Sequence, residues 1–242
     1  MVSLAGLAIQ LAHRPCIKLI TMPRLGSPNQ LQLNELHDSL AQVEKRLQGT
    51  VGRRERLLKE SRDIISSCSK AIVHLHTGKF QDSSKELGYA RKLLRDLRKD
   101  HDAALSRYLI SPETEFVEAS TVTAVVRGEE LPSMASLGVG PEGFLLGLLD
   151  SIGEMKRLVL DSIMDGKIAR ARQYFSLMER LYGALSPFAA FDNIVNGTRR
   201  KIDLARILIE DIRGVLAEEA RREKLTSSME RLQKRIEASR KR

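Results

Sequence analysis

The spacing of apolar residues constrains this chain more than any other feature. Segment after segment, they recur at three and four residues, the period of one face of an α-helix. Between Pro141 and Gly166 the run GFLLGLLDSIGEMKRLVLDSIM carries this period without interruption. Proline at the start and glycine just past the end are helix punctuation. The spacing predicts further helices from Leu33 to Gln48, from Arg53 to Thr77 and from Phe80 to Lys99, the last resuming to Ile110 after a turn at Asp100-His101-Asp102. Others are expected from Ser111-Pro112-Glu113-Thr114 to Arg127, from Lys167 to Leu185, and from Phe191 to beyond Leu216. Gly49 and Gly52 mark an expected break or bend, Ser111 an expected N-cap, and Glu129 to Gly140 a connector. No series of strand-like alternation appears. The expectation is an all-α fold: one domain of about seven long antiparallel helices.

Charge divides the chain into three parts. The net charge is +9, but residues 1–30 hold three basic residues and no acid, and residues 221–242 hold nine basic residues and three acids. The body between them is neutral, so the excess lies at the ends. We therefore expect a disordered N-terminal extension at 1–30, a helical domain at 31–220 and a basic, helically spaced tail at 221–242 (Leu225, Met229, Leu232, Ile236). Such a tail can bind phosphate or merely confer solubility. Two cysteines, Cys16 and Cys68, make neither a disulfide framework nor a zinc cluster, which points to a reducing, cytoplasmic setting. The apolar stretch Val2–Ala12 is too short to span a bilayer and lacks the charged start of a secretory signal, so no membrane association is expected.

The chemistry-bearing residues are acids on apolar helix faces. In TEFVEAS, Glu115 and Glu118 fall about 60° apart on a helical wheel, with Val122 between them. Carboxylates on an apolar sector require a counter-charge, a donor or a metal. The alternative is an exposed first turn, where acids simply favour the helix N-terminus. Asp150 and Glu154, four apart, share a second helix face with Arg157 and Asp161, which can equally be read as a wet stripe. Four carboxylates converging from two antiparallel helices would make a hard-oxygen site suited to magnesium or manganese. Phosphate-loop and serine-elbow motifs are absent. His74 and His76, two apart, do not form a metal pair on one helix face.

These residues carry a resemblance. TEFVEA resembles the Glu-Tyr-Val-Glu-Ala helix of the factor X branch of the translin family. GFLLGLLDSIGEMKRLVLDSIMDGK resembles that family's long helix with its Asp-x-x-Gly-Glu step. DNIVNGTRRKIDLARILIEDIRG is similar to its last helix. The likeness extends from Asn34 to Gly214. It implies a seven-helix fold assembled into a hollow homo-oligomer, usually an octamer, that binds single-stranded RNA or DNA. In the factor X branch, interior acids hold magnesium and cleave RNA. Those acids match Glu115, Glu118, Asp150 and Glu154, with Glu118 and Asp150 as direct ligands and the other two completing the shell or positioning water. Because translin lacks the first pair, their presence places this chain nearer the catalytic branch. The resemblance thus implies a Mg2+- (or Mn2+-) dependent endoribonuclease acting on single-stranded RNA; the alternative is a non-catalytic single-stranded RNA- or DNA-binding oligomer. Basic residues are expected around the acids: Arg91, Lys92 and Arg95, then Arg107, then Arg199, Arg200 and Lys201. With only four tyrosines, six phenylalanines and no tryptophan, backbone charge rather than base stacking would dominate binding.

Overall fold

A computed structural model describes residues 29–99 and 103–240. Residues 1–28 of the expected N-terminal extension at 1–30, and the turn at Asp100-His101-Asp102, lie outside the described residues, while Asn29 and Gln30 open the first helix. Among the described residues there are seven α-helices: α1 (Asn29–His76), α2 (Phe80–Lys99), α3 (Ile110–Arg127), the single turn α4 (Met134–Leu137), α5 (Pro141–Met164), α6 (Ile168–Leu185) and α7 (Thr198–Arg240). Two 3-10 segments, Ala103–Tyr108 and Ser186–Phe191, precede α3 and α7. No strand occurs among the described residues. None of the described helices is long and apolar enough to cross a membrane.

Three boundaries differ from the expectation. The break at Gly49 and Gly52 does not form; α1 runs through both. Each glycine costs a helix about 1 kcal/mol, which the flanking good helix formers can offset. Ser111 is not the N-cap of α3. The preceding 3-10 segment runs straight into the helix, Leu109 holds the cap position in helical geometry, and its carbonyl accepts from the Glu113 amide at 3.0 Å. α7 starts at Thr198 rather than Phe191, because Gly197 at φ +88° reorients the chain just before it. The Asp192 carboxylate then accepts from the Arg199 amide at 2.9 Å, satisfying one free donor of the first turn.

The chain divides into two units, meeting at Gln48 and Gly49. In the first, the described stretch is helical, and its stripe of Leu33, Leu36, Leu40, Val43 and Leu47 is exposed. In the second unit, α3 is the central element. Phe116, Val117, Ala119 and Val122 are fully buried, and α3 is covered on nearly every side. Burying a side chain such as Phe116 contributes about 1.5–3 kcal/mol. Ile64 and Cys68 of α1, Leu94 of α2, Ile152 and Met155 of α5 and Met178 of α6 join the same core. Leu225, Met229, Leu232 and Ile236 near the end of α7 are exposed.

The approach of α5 to α3 is the contact that builds the site. Gly143 and Gly147 lie one turn apart on α5, where a Cβ would collide with α3. At Gly147 it would stand 2.4 Å from the Thr114 carbonyl oxygen and 2.6 Å from Val117 Cβ. At Gly143 it would stand 2.5 Å from Glu113 Cβ. Hydrogen in place of a side chain lets the two backbones close, and the carboxylates beyond them come within reach of one another.

Candidate metal and nucleic-acid site

Glu115 and Glu118 project from α3, Asp150 and Glu154 from α5, and all four are half-buried. The alternative of a solvent-exposed first turn is thereby removed for Glu115 and Glu118. Burial raises the Glu115 carboxyl above its ordinary range; the Asp150 charge adds to this and Lys201 opposes it. Burial pushes Glu118 up to about 8, with Asp150, Glu115 and Glu154 adding in that order and Lys201 opposing. Glu118 therefore feels all three other acids and is the centre of the cluster. The fully buried thiol of Cys68 on α1 is raised as well, by burial and then by Glu115 and Glu118.

Two of the four acids have basic side chains as partners. Lys201, on α7, donates from Nζ to Asp150 Oδ1. His76, at the end of α1, lies with Nε2 at 2.7 Å from Glu154 Oε2 and Nδ1 at 3.2 Å from Asp161 Oδ2. The His76 hydrogen bond lowers the Glu154 carboxyl below its ordinary value against the cost of burial, with help from the His76 and Arg157 charges. His76 was not expected here. Its partners lie 78 and 85 residues along the chain, and only the packing of α1 on α5 joins them.

The donor chemistry suits a hard divalent cation: carboxylate oxygens only, with burial first and the neighbouring acids second holding Glu118 at about 8. As placed, no three His, Cys, Asp or Glu side chains among the described residues are drawn together closely enough to enclose an ion. Asp150 is turned to Lys201 and Glu154 to His76. The residues fit the group by their chemistry, with Lys201 and His76 occupying one oxygen each of Asp150 and Glu154.

The basic residues divide. Lys201 joins the acids, whereas Arg199 and Arg200 beside it are exposed. Arg91 lies with its guanidinium carbon 5.6 Å from the Phe116 ring centroid. With Arg95, Arg98 and Lys99 it lines a pocket of about 360 Å3 closed by residues 135–138; Lys92 is exposed on the same helix. On α3, the residues facing α2 (Phe116, Ser120, Thr123, Arg127) lie roughly 140° around the helix from Glu115 and Glu118, at 100° per residue. The α2 arginines thus face a different side of α3 from the acids. Arg107 and Arg54 flank Tyr108 at 5.0 and 5.3 Å from its ring centroid. The hydrogen bonds from Arg54 at 2.9 Å and then from Arg107 at 3.2 Å lower the Tyr108 phenol below its ordinary value.

Comparison with known proteins adds the following. No family model matches the chain. An uncharacterised protein of Methanocaldococcus jannaschii is 32% identical over 185 residues, covering 74% of this chain and 82% of that protein. The crystal structure of AfC3PO is 30% identical with a TM-score of 0.68, covering 74% of this chain and 96% of that one. A complex of AfC3PO with duplex RNA matches at 29% identity and a TM-score of 0.66, over 74% and 95% of the two chains. Apo-NeC3PO, at 18% identity and a TM-score of 0.65, shares the fold.

Proposed function

The chain belongs to the translin family, and from that premise we propose that it is an RNA-binding protein of the catalytic branch, a Mg2+- or Mn2+-dependent endoribonuclease. The observation that carries this reading is Glu118: a half-buried acid held at about 8, with three further acids contributed by two helices. A fold keeps such a cluster at a cost to its own stability, and a cation would offset that cost. The solved AfC3PO complex contains duplex RNA, and an RNA substrate for this chain is the corresponding inference. Single-stranded RNA is the form we expect to be cut, with single-stranded DNA as a further ligand, inside a hollow homo-oligomer, an octamer by family likeness, in the cytoplasm.

Glu118 and Asp150 would hold the ion directly, and Glu115 and Glu154 would complete its surroundings or position the attacking water. A divalent ion bound there supplies activated water and offsets charge on a phosphodiester under attack. The chain's own contribution is placement. Gly143 and Gly147 set the spacing of α3 and α5, and His76 fixes the Glu154 carboxylate. Arg199 and Arg200, exposed just before Lys201 in the first turn of α7, would meet RNA phosphates. Arg91, Lys92, Arg95 and Arg107 would hold more distant parts of the strand.

The second reading is a non-catalytic nucleic-acid-binding oligomer, favoured by the engagement of Asp150 with Lys201 and of Glu154 with His76. Incubating labelled single-stranded and duplex RNA with the protein, in magnesium and in EDTA, separates the two. Magnesium-dependent cutting that is lost in Glu118→Ala of unchanged assembly state supports the nuclease. Binding without cutting in either protein supports the second reading.

A further inference from the structure

Among the described residues, Lys201 is the cation that opposes the burial-raised acids at both positions of α3. It offsets Glu115 and Glu118 together while donating to Asp150 on α5. One ammonium therefore serves three carboxylates from two helices, which is the placement the metal reading requires of a divalent ion. The other basic partner of the cluster is built differently. The His76 ring is 3% exposed and is held from both ring nitrogens, by Glu154 and Asp161. The Lys201 side chain is 25% exposed, its partner Asp150 26%, and it sits on a flexible four-carbon stem. The imidazole is buried and doubly held, whereas the ammonium borders solvent.

We propose that Lys201 is the resident counter-ion of this site: it holds the position of the metal in the metal-free protein and yields Asp150 when a divalent cation enters. This rests on the metal-dependent reading above and deepens it. Lys201 keeps the empty cluster stable, since without it Asp150, Glu115 and Glu118 would face one another with no positive charge among them. It also sets the metal affinity, since an entering ion must displace one positive charge and works against its field until it has moved. Lys201 is thus a positioning residue, and its removal should tighten metal binding rather than weaken it. A merely structural lysine would show the opposite sign.

The test is a titration of the full-length protein with Mn2+ alone, without RNA, following free Mn2+ by its electron paramagnetic resonance signal. The proteins are the wild type, Lys201→Met, Lys201→Gln, Lys201→Arg and Glu118→Gln, each checked for native helicity. Two neutral variants are included so that misfolding of one leaves the other. The proposal expects Glu118-dependent binding in the wild type, about tenfold tighter binding in Lys201→Met or Lys201→Gln as one nearby screened charge is lost, and wild-type-like affinity in Lys201→Arg. Glu118-dependent binding that is unchanged or weaker in both neutral variants overturns the proposal and leaves the metal site standing. Absence of Glu118-dependent binding in the wild type and in both neutral variants overturns the metal reading, and the proposal with it.

Discussion

Two acids five residues apart on α3 have opposite fates. Glu113 is 3% exposed, yet it is fully provided for. Arg98 Nε stands 2.8 Å from its Oε1, and the Gly140 amide donates to its Oε2 at 2.8 Å. Glu118 is less buried but surrounded by three acids, with Lys201 the cation that opposes them. The first region is a structural joint, tying α2 and the start of α5 to the first turn of α3. The second keeps its charges in conflict. The lesson is that burial alone does not mark a functional acid; what marks it is burial among like charges.

Four changes would break or sharpen this contrast. The largest effect on folding is expected at the joint. Glu113→Ala leaves Arg98 without its buried partner and should cost about 3 kcal/mol or more, read as a lower denaturant midpoint. At the cluster, Glu118→Gln should reduce magnesium-dependent RNA cleavage by at least about 100-fold, beyond the 10–100-fold typical of outer metal partners. It should leave folding stability undiminished, which separates it from Glu113→Ala. Next, Gly147→Ala should destabilise by about 2 kcal/mol, because its methyl group would meet the Thr114 carbonyl at 2.4 Å. By parting α3 from α5 it should also weaken Mn2+ binding. Smallest is His76→Asn, expected to weaken Mn2+ binding about tenfold through the loss of the Glu154 partner.

Much of this was legible in the order of residues. Apolar spacing located the helices, and Pro141, Gly128 and Gly166 marked their limits, because those signals are local. Glu115 and Glu118 were visible for the same reason, as acids on the apolar sector of one helix, whereas Asp150 and Glu154 shared a stripe with Arg157 and Asp161 and were singled out by the family resemblance. What stayed hidden depends on partners distant in the chain. His76 reaches Glu154 and Asp161 only through packing of α1 on α5. Lys201 looked like a member of the basic run Arg199-Arg200-Lys201, yet one turn of α7 directs it into the acids while its neighbours face solvent. The α2 arginines were expected around the acids and instead face another side of α3, because the wheel of α3 was known but the position of α2 around it was not. The stripe from Leu33 to Leu47 was correctly read as amphipathic, but its exposure is a property of the folded chain.

The central claim is that α3 and α5 hold acids in a conflict that a divalent cation relieves. The measurement that tests it most directly is folding stability between pH 5 and 8.5, with and without magnesium, in wild type and Glu118→Gln. Glu118 titrates near 8 in the folded protein and near the ordinary carboxylate value when unfolded. Between those values the native state retains a proton that the unfolded chain has released. Stability should therefore fall as pH rises through that window, with a slope approaching about 1.4 kcal/mol per pH unit for one proton. The raised Glu115 acts in the same direction. The depressed Glu154 contributes stability that is lost only at lower pH, as its carboxylate takes up a proton. The account predicts a falling profile in the wild type, a flatter one in Glu118→Gln, and recovery by magnesium at pH 8 in the wild type alone. A profile that is flat in both proteins and indifferent to magnesium would contradict it.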